Sequence, residues 1–239
     1  TCALPISTAG DAGDWVGANG QVIVSQDGRI FSSDRTTHVI YIRPNVNSAS
    51  VVLAGKLNTP GSVDASGTAA RFNGPYGMAF DDSTNRLFIA DTNNQAIRQI
   101  NPANGNVTTI VRTSNAQTAA QSAGYSVAGF GPRGLALLGT NSMIVTDAVN
   151  HVAWHYLNSA MYLRAGVPSA IGTVDGTGTA ARMNTPDLAS AVTTRASRRA
   201  PRRTVVRQAP STFSATRMAS GVSRRITRLS FSSKATSRT

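Results

Sequence analysis

The chain has 239 residues, 41% of them hydrophobic, with a formal net charge of +12 and a single cysteine. One cysteine excludes an intramolecular disulfide framework, and no apolar run approaches the roughly 18 residues of a membrane-spanning helix. All eleven acidic residues are aspartates at or before Asp187, where eleven Lys and Arg balance them; the other twelve basic residues follow. The high net positive charge therefore comes from residues 188–239 alone.

The first residues form a segment apart from the rest. Residues 1–7 are predicted to be a non-native leader, because Thr1 to Ile6 reads like a translated sequencing adapter. Such a segment does not contribute to a fold. The only cysteine, Cys2, lies within it.

Beyond this leader the sequence repeats at a step of 57 residues. Two series of glycines recur at that step: Gly17, Gly74, Gly131 and Gly20, Gly77, Gly134. A fixed period of this size predicts a repeat architecture in which each unit buries its apolar face against its neighbours. We predict a repeat region over residues 8–186, with units at about 14–73, 74–130 and 131–184.

The second unit shows most clearly what each repeat builds. Its apolar runs, at about 77–80, 86–90, 96–100 and 107–111, are separated by turns rich in Asp, Asn, Pro and Gly. Short strands separated by such turns are typical of consecutive hairpins, and four strands per unit match a propeller blade. No long amphipathic helix is predicted, and the helix-tolerant segment Ala116 to Ala123 is assigned to the loop between units.

An aspartate ends the second strand of each unit. Asp34, Asp91 and Asp147 occupy this place. An Asp at the first position of a tight turn accepts N–H bonds from the backbone just ahead of it. We therefore predict a structural turn role for all three, and no catalytic one.

These residues resemble the NHL-repeat β-propeller family. The matching stretches run from the end of the first unit through the second: Gly67 to Gly77, Phe88 to Asp91, Asn94, Ile97-Arg98 and Val107 to Thr109. The resemblance implies an all-β propeller of NHL type, here an incomplete ring of four-stranded antiparallel blades. It implies little about function, because one fold hosts many chemistries.

The repeat pattern stops just after Pro186, where a fourth unit would begin. Residues 187–239 form a basic low-complexity tail. Three interpretations stay open: a genuine tail that binds nucleic acid or an acidic surface, a solvated disordered segment, or a stretch translated out of frame. The abrupt stop inside a motif favours the last.

No catalytic, metal or cofactor site is predicted. His151 and His155 are four residues apart in the sequence. On a helix this spacing could let them share a metal, but on a strand it separates them by about 13 Å. The Gly-rich segment Gly172 to Gly178 lacks the features of a phosphate or calcium loop. Asp81-Asp82 is the only adjacent carboxylate pair, and neighbouring strand residues point to opposite faces.

A residue that differs between repeats while its neighbours stay constant is a candidate for binding. The position just before the second recurring glycine holds Asn19, Tyr76 and Arg133. We expect it near one mouth of the propeller channel, and Tyr and Arg are favoured at interaction hot spots. The leading prediction is a non-enzymatic scaffold that presents its loops to a protein or other macromolecule.

Two alternatives remain. One is a metal-dependent lyase or hydrolase with its site at the propeller axis, which the resemblance allows because some enzymes have NHL-like blades. The other is an RNA-binding propeller, which the neutral body argues against since phosphate contacts need clustered Lys and Arg. The compartment is not predicted.

Overall fold

Three four-stranded antiparallel sheets follow one another along the chain. The computed structural model describes residues 20–193 and 226–233, with side chains described for residues 20–187. In each sheet the strands are hydrogen-bonded in the order in which they occur in the sequence, as in a propeller blade. The first blade comprises β1 (Val22–Val24), β2 (Ile30–Asp34), β3 (Val39–Arg43) and β4 (Val51–Ala54).

The other two blades repeat this arrangement. The second blade comprises β5 (Pro75–Asp81), β6 (Arg86–Asp91), β7 (Ala96–Asn101) and β8 (Asn106–Val111). The third comprises β9 (Pro132–Gly139), β10 (Ser142–Asp147), β11 (Val152–Leu157) and β12 (Ala160–Ala165). The predicted all-β propeller fold is confirmed.

The blades stack face to face, which explains the run of apolar residues inside the second strand of the second blade. In β6, Leu87 and Ile89 pack in the cluster shared with the first blade, whereas Phe88 packs in the cluster shared with the third. Successive strand residues point to opposite faces, so consecutive apolar residues of a strand covered on both faces are buried against one neighbouring blade and then the other. All three side chains are at least 96% buried.

The innermost strands approach one another closely at the second recurring glycine. A Cβ added to Gly77 in β5 would lie 1.7 Å from the carbonyl oxygen of Arg133 in β9. Only glycine fits at this contact. The spacing between the second and third blades therefore depends on the absence of a side chain at position 77.

The linker between the second and third blades contains a helix, so the expected loop is wrong here. Helix α1 spans Thr113–Ser122, and the Asn115 side chain accepts a bond from the Arg112 amide at 2.8 Å. Its Ala116, Ala119 and Ala120 are buried in the cluster between the second and third blades. Packing of this narrow alanine face, which local sequence does not reveal, stabilises the helix.

A further strand begins where a fourth blade would start. β13 (Pro186–Thr193) contacts β9 and pairs antiparallel with β14 (Ile226–Ser233). Residues 194–225 and 234–239 of the tail lie outside the described residues, and disorder or an altered reading frame there stays a prediction. Residues 1–7 also lie outside, and the predicted unit boundaries remain predictions. Within the described part, no helix has the length and hydropathy to cross a bilayer.

Candidate functional site

Three successive innermost strands, β5, β9 and β13, begin with a proline, and the residue directly after it lies at the same end of each strand. Tyr76 follows Pro75 in β5, and Arg133 follows Pro132 in β9. Asp187 follows Pro186 in β13 and occupies the same place. Asn19, the predicted counterpart in the first unit, lies outside the described residues. Asp187 is not among the predicted binding residues, because the repeat pattern in the sequence stops at Pro186.

Tyr76, Arg133 and Asp187 meet. Arg133 donates from a terminal guanidinium nitrogen to Asp187 Oδ1 at 2.8 Å, and the Tyr76 hydroxyl donates to Asp187 Oδ2 at 3.3 Å. The side chains of Arg133 and Asp187 are 34% and 18% exposed. An ion pair at this depth is partly screened by solvent, so it positions the groups more than it stabilises the fold.

A second arginine completes this group. Arg35, from the turn after β2, places its guanidinium carbon 5.1 Å from the centroid of the Tyr76 ring, and Arg133 lies 5.9 Å from the same centroid. Both distances fall within the range of cation–π attraction. We refer to Arg35, Tyr76, Arg133 and Asp187 as the aryl–arginine cluster.

The cluster sets the ionisation of its tyrosine. Burial raises the pKa of Tyr76, and the neighbouring Asp187 carboxylate raises it further, while Arg133 and Arg35 lower it. The phenol therefore keeps its proton near neutral pH and acts as a hydrogen-bond donor.

A groove of about 440 Å³ adjoins the cluster. Its lining comes from the turns after the second strands of all three blades and from the segments that lead into β9 and β13. The lining residues are Arg35, Thr92, Asn93, Gln95, Gly129, Phe130, Gly131, Arg133, Ala148, Val149 and Thr185. The groove thus lies at the end of the blades where the predicted binding positions are.

The predicted turn aspartates each accept several hydrogen bonds. Asp34 Oδ1 accepts from the amides of Thr36 and Thr37 at 2.8 and 3.1 Å. Asp147 Oδ1 accepts from the amides of Val149 and Asn150, both at 3.0 Å. These contacts are those of an Asx turn.

Asp91 differs, because the backbone amide bound to it belongs to an earlier residue of the chain and not to the turn that follows. Its Oδ1 accepts from the amide of Asn73, in the segment before β5, at 2.8 Å. Its Oδ2 accepts from Asn94 Nδ2 at 2.8 Å and from Arg98 at 2.9 Å. The following residues form a 3₁₀ turn over Thr92–Asn94, so this aspartate ties the second blade to its preceding linker.

Sequence reasoning missed the role of Arg98. Its fully buried guanidinium donates to Asp91, to Asp64 at 2.6 Å, and to the carbonyls of Val63 and Arg71. Burial raises the pKa of Asp64, but bonds from Thr109 and the charge on Arg98 hold it below its ordinary value. The predicted hairpin between the second and third strands is the signal that could have paired Arg98 with Asp91. No local signal in the sequence points to the linker carbonyls.

Two of the three histidines tie successive units together. His38 and His151 both have positive φ, 63° and 58°. Each Nδ1 accepts a backbone amide from the segment before the next innermost strand: Gly74 N at 3.1 Å and Thr185 N at 3.0 Å. His155 instead contacts the Ser142 hydroxyl at 2.9 Å. No group of three or more His, Cys, Asp or Glu with metal-site geometry occurs within the described part of the chain.

Comparison with known proteins supports the repeat assignment. No family model matches. The chain is 33% identical over 93 residues to NHL repeat-containing protein 2 of Bos taurus, which covers 38% of this chain and 13% of that protein. It is 34% identical over 82 residues to SUPPRESSOR OF QUENCHING 1, a chloroplastic protein of Arabidopsis thaliana, with 34% and 8% coverage. The resemblance to NHL-type propellers is confirmed by the first match, although the chain spans only about an eighth or less of either relative.

Solved structures give weaker likenesses. A streptogramin B lyase is 11% identical with a TM-score of 0.46, covering 73% of this chain and 45% of that one. A chain of a nidogen/laminin complex is 16% identical with a TM-score of 0.43, covering 68% and 47%.

Proposed function

We propose that this NHL-type propeller segment is a binding scaffold whose aryl–arginine cluster and adjoining groove contact a protein partner. The observation that carries the proposal is the convergence of Tyr76, Arg133 and Asp187. These residues occupy the same position in three successive innermost strands, and their side chains differ while the surrounding scaffold repeats.

The chemistry of this face suits protein recognition. Tyr and Arg supply large contact area and directed hydrogen bonds, and they are enriched among interface hot spots. Tyr76 and Arg133 are only partly buried, so both remain accessible to a partner. The groove beside them gives a concave surface of about 440 Å³.

Charge reversal at Arg133 tests the proposal. The full chain would be used to select binders from a displayed library of natural protein fragments, and each binder would be measured by biolayer interferometry against Arg133→Glu and Arg86→Glu. We expect Arg133→Glu to weaken binding by about tenfold or more, since a charge-assisted contact contributes about 1.5–3 kcal/mol. Arg86 is exposed at the start of β6, at the far end of the second blade, and is the matched control.

A photo-crosslinking residue locates the contact directly. Placed at Asn93, which is exposed and lines the groove, it should crosslink to the binder, whereas at the exposed Thr84, in the turn at the other end of the same blade, it should not. Binders that respond equally to both charge reversals and crosslink only at Thr84 would refute the proposal.

A further inference from the structure

The two arginines of the aryl–arginine cluster differ in what they bind. Arg133 has a carboxylate partner, Asp187, at 2.8 Å. Arg35 contacts the Tyr76 ring, and its guanidinium forms no hydrogen bond or ion pair with any of the described residues. It is neither fully exposed nor buried. A partly desolvated guanidinium with unused donors is a favourable place for an anion.

The cluster already shows which anion it accommodates. Asp187 presents a carboxylate, and Arg133 and the Tyr76 hydroxyl each donate to one of its oxygens. Arg35, Arg133 and Asp187 together carry a charge of +1. One further carboxylate would neutralise this charge, whereas a phosphate, with close to two negative charges, would leave an excess beside Asp187.

The surroundings of Arg35 restrict its side chain while leaving its N–H donors accessible to such a ligand. Its guanidinium lies over an aromatic ring, which restricts a long side chain and leaves the edges of the planar donor group free. Arg35 and Arg133 both line the groove. The groove runs past turns of three successive blades, which suits the flank of an extended peptide better than a chain terminus.

We infer that the groove binds an acidic segment of the partner protein, with an Asp or Glu side-chain carboxylate accepting hydrogen bonds from Arg35. This inference rests on the proposed protein-binding function and names the chemistry of its partner. Arg35 is then the specificity-determining residue for an acidic peptide. Asp187 competes with the peptide carboxylate, because it already accepts a hydrogen bond from Arg133.

Short synthetic peptides test this directly on the full chain. An array of acetylated and amidated peptides, each with one Glu among Gly, Ser and apolar residues, would be screened and titrated by fluorescence polarisation. Matched peptides would carry Gln or phosphoserine in place of Glu, and a further set would carry Gln with a free C-terminal carboxylate. We expect Glu peptides to bind about tenfold or more tightly than their Gln counterparts, the effect of one charge-assisted contact.

Three variants sharpen the result. Arg35→Gln should weaken Glu-peptide binding by about tenfold or more, while Arg86→Gln leaves it unchanged. Asp187→Asn should strengthen binding severalfold, because it releases Arg133 and raises the cluster charge to +2. A purely structural role for Asp187 would not produce tighter binding.

The outcomes separate this inference from the proposed function. Preference for phosphoserine, preference for the free C-terminus, or equal binding of Glu and Gln peptides overturns the inference. So does full affinity in Arg35→Gln. If natural binders still depend on Arg133 in those cases, the scaffold function stands and only its acidic ligand is wrong.

Discussion

The second and third blades have an aspartate at the equivalent position, Asp91 or Asp147, but bind it to chemically different partners. In both, the aspartate that ends the second strand accepts a bond from an asparagine three residues later, Asn94 or Asn150. That asparagine also donates to a carbonyl of the preceding linker, at Gly61 or Gly129. In both blades this pair of hydrogen bonds from one asparagine therefore connects the preceding linker to the end of the second strand.

They differ at the residue seven positions after the aspartate. In the second blade this is Arg98, which joins two carboxylates and two linker carbonyls. In the third blade it is Trp154, whose indole N–H donates to Asp147 Oδ2 at 2.9 Å while its ring fills the core. An ion network around the buried pair of Arg98 and Asp91 thus replaces an aromatic anchor at one structural position, and the second blade should be the more sensitive to loss of a single group.

The largest effect is expected from removing the cation of the second blade. Arg98→Met should lower the free energy of unfolding by about 3–5 kcal/mol, because it leaves Asp91 buried without its cation. Chemical denaturation followed by circular dichroism measures this, with Arg86→Met as an exposed control expected to change stability by less than about 0.5 kcal/mol. A loss below about 1 kcal/mol would show that the ion network adds little.

The next effect is a pH dependence specific to the second blade. Burial raises the pKa of Asp91 from 3.8 to about 6, against bonds from Asn73, Asn94 and Arg98 that lower it. Because the folded pKa exceeds the unfolded one, the stability linked to protonation is full below about pH 3.8 and is lost as the pH rises through about 6. The change is on the order of 3 kcal/mol.

Asp91→Asn isolates this contribution. The free energy of unfolding of the unaltered chain minus that of the variant should decrease between pH 4 and pH 7, measured by urea denaturation at each pH. A difference that grows with pH over this range would mean that the donors around Asp91 outweigh its burial.

The smallest effect is expected in the third blade. Trp154→Phe keeps an aromatic ring but removes the bond to Asp147, which should cost about 2 kcal/mol, as for a hydrogen bond to a charged group. Thermal and urea unfolding would measure it alongside Arg98→Met. A loss equal to or larger than that of Arg98→Met would reverse the proposed order of the two blades.

The periodic features of the chain were predictable from sequence, since they depend on contacts between near neighbours. The 57-residue step and the turn residues between apolar runs predicted four strands per blade, and three such blades form. Helix α1 was missed because its alanines are stabilised by packing against residues of the second and third blades, which no local pattern records.

The candidate site divides in the same way. Repeat comparison singled out Tyr76 and Arg133, because they vary between constant neighbours, but it missed Arg35 and Asp187. Tyr76 and Asp187 are 111 residues apart in sequence. Arg98 and the linker residue Asp64 are 34 apart. Sequence determined which residues end each strand and turn, since backbone hydrogen bonding and side-chain alternation act locally. Only the stacking of successive blades decided which side chains meet, because that depends on distances between units that are far apart in the chain.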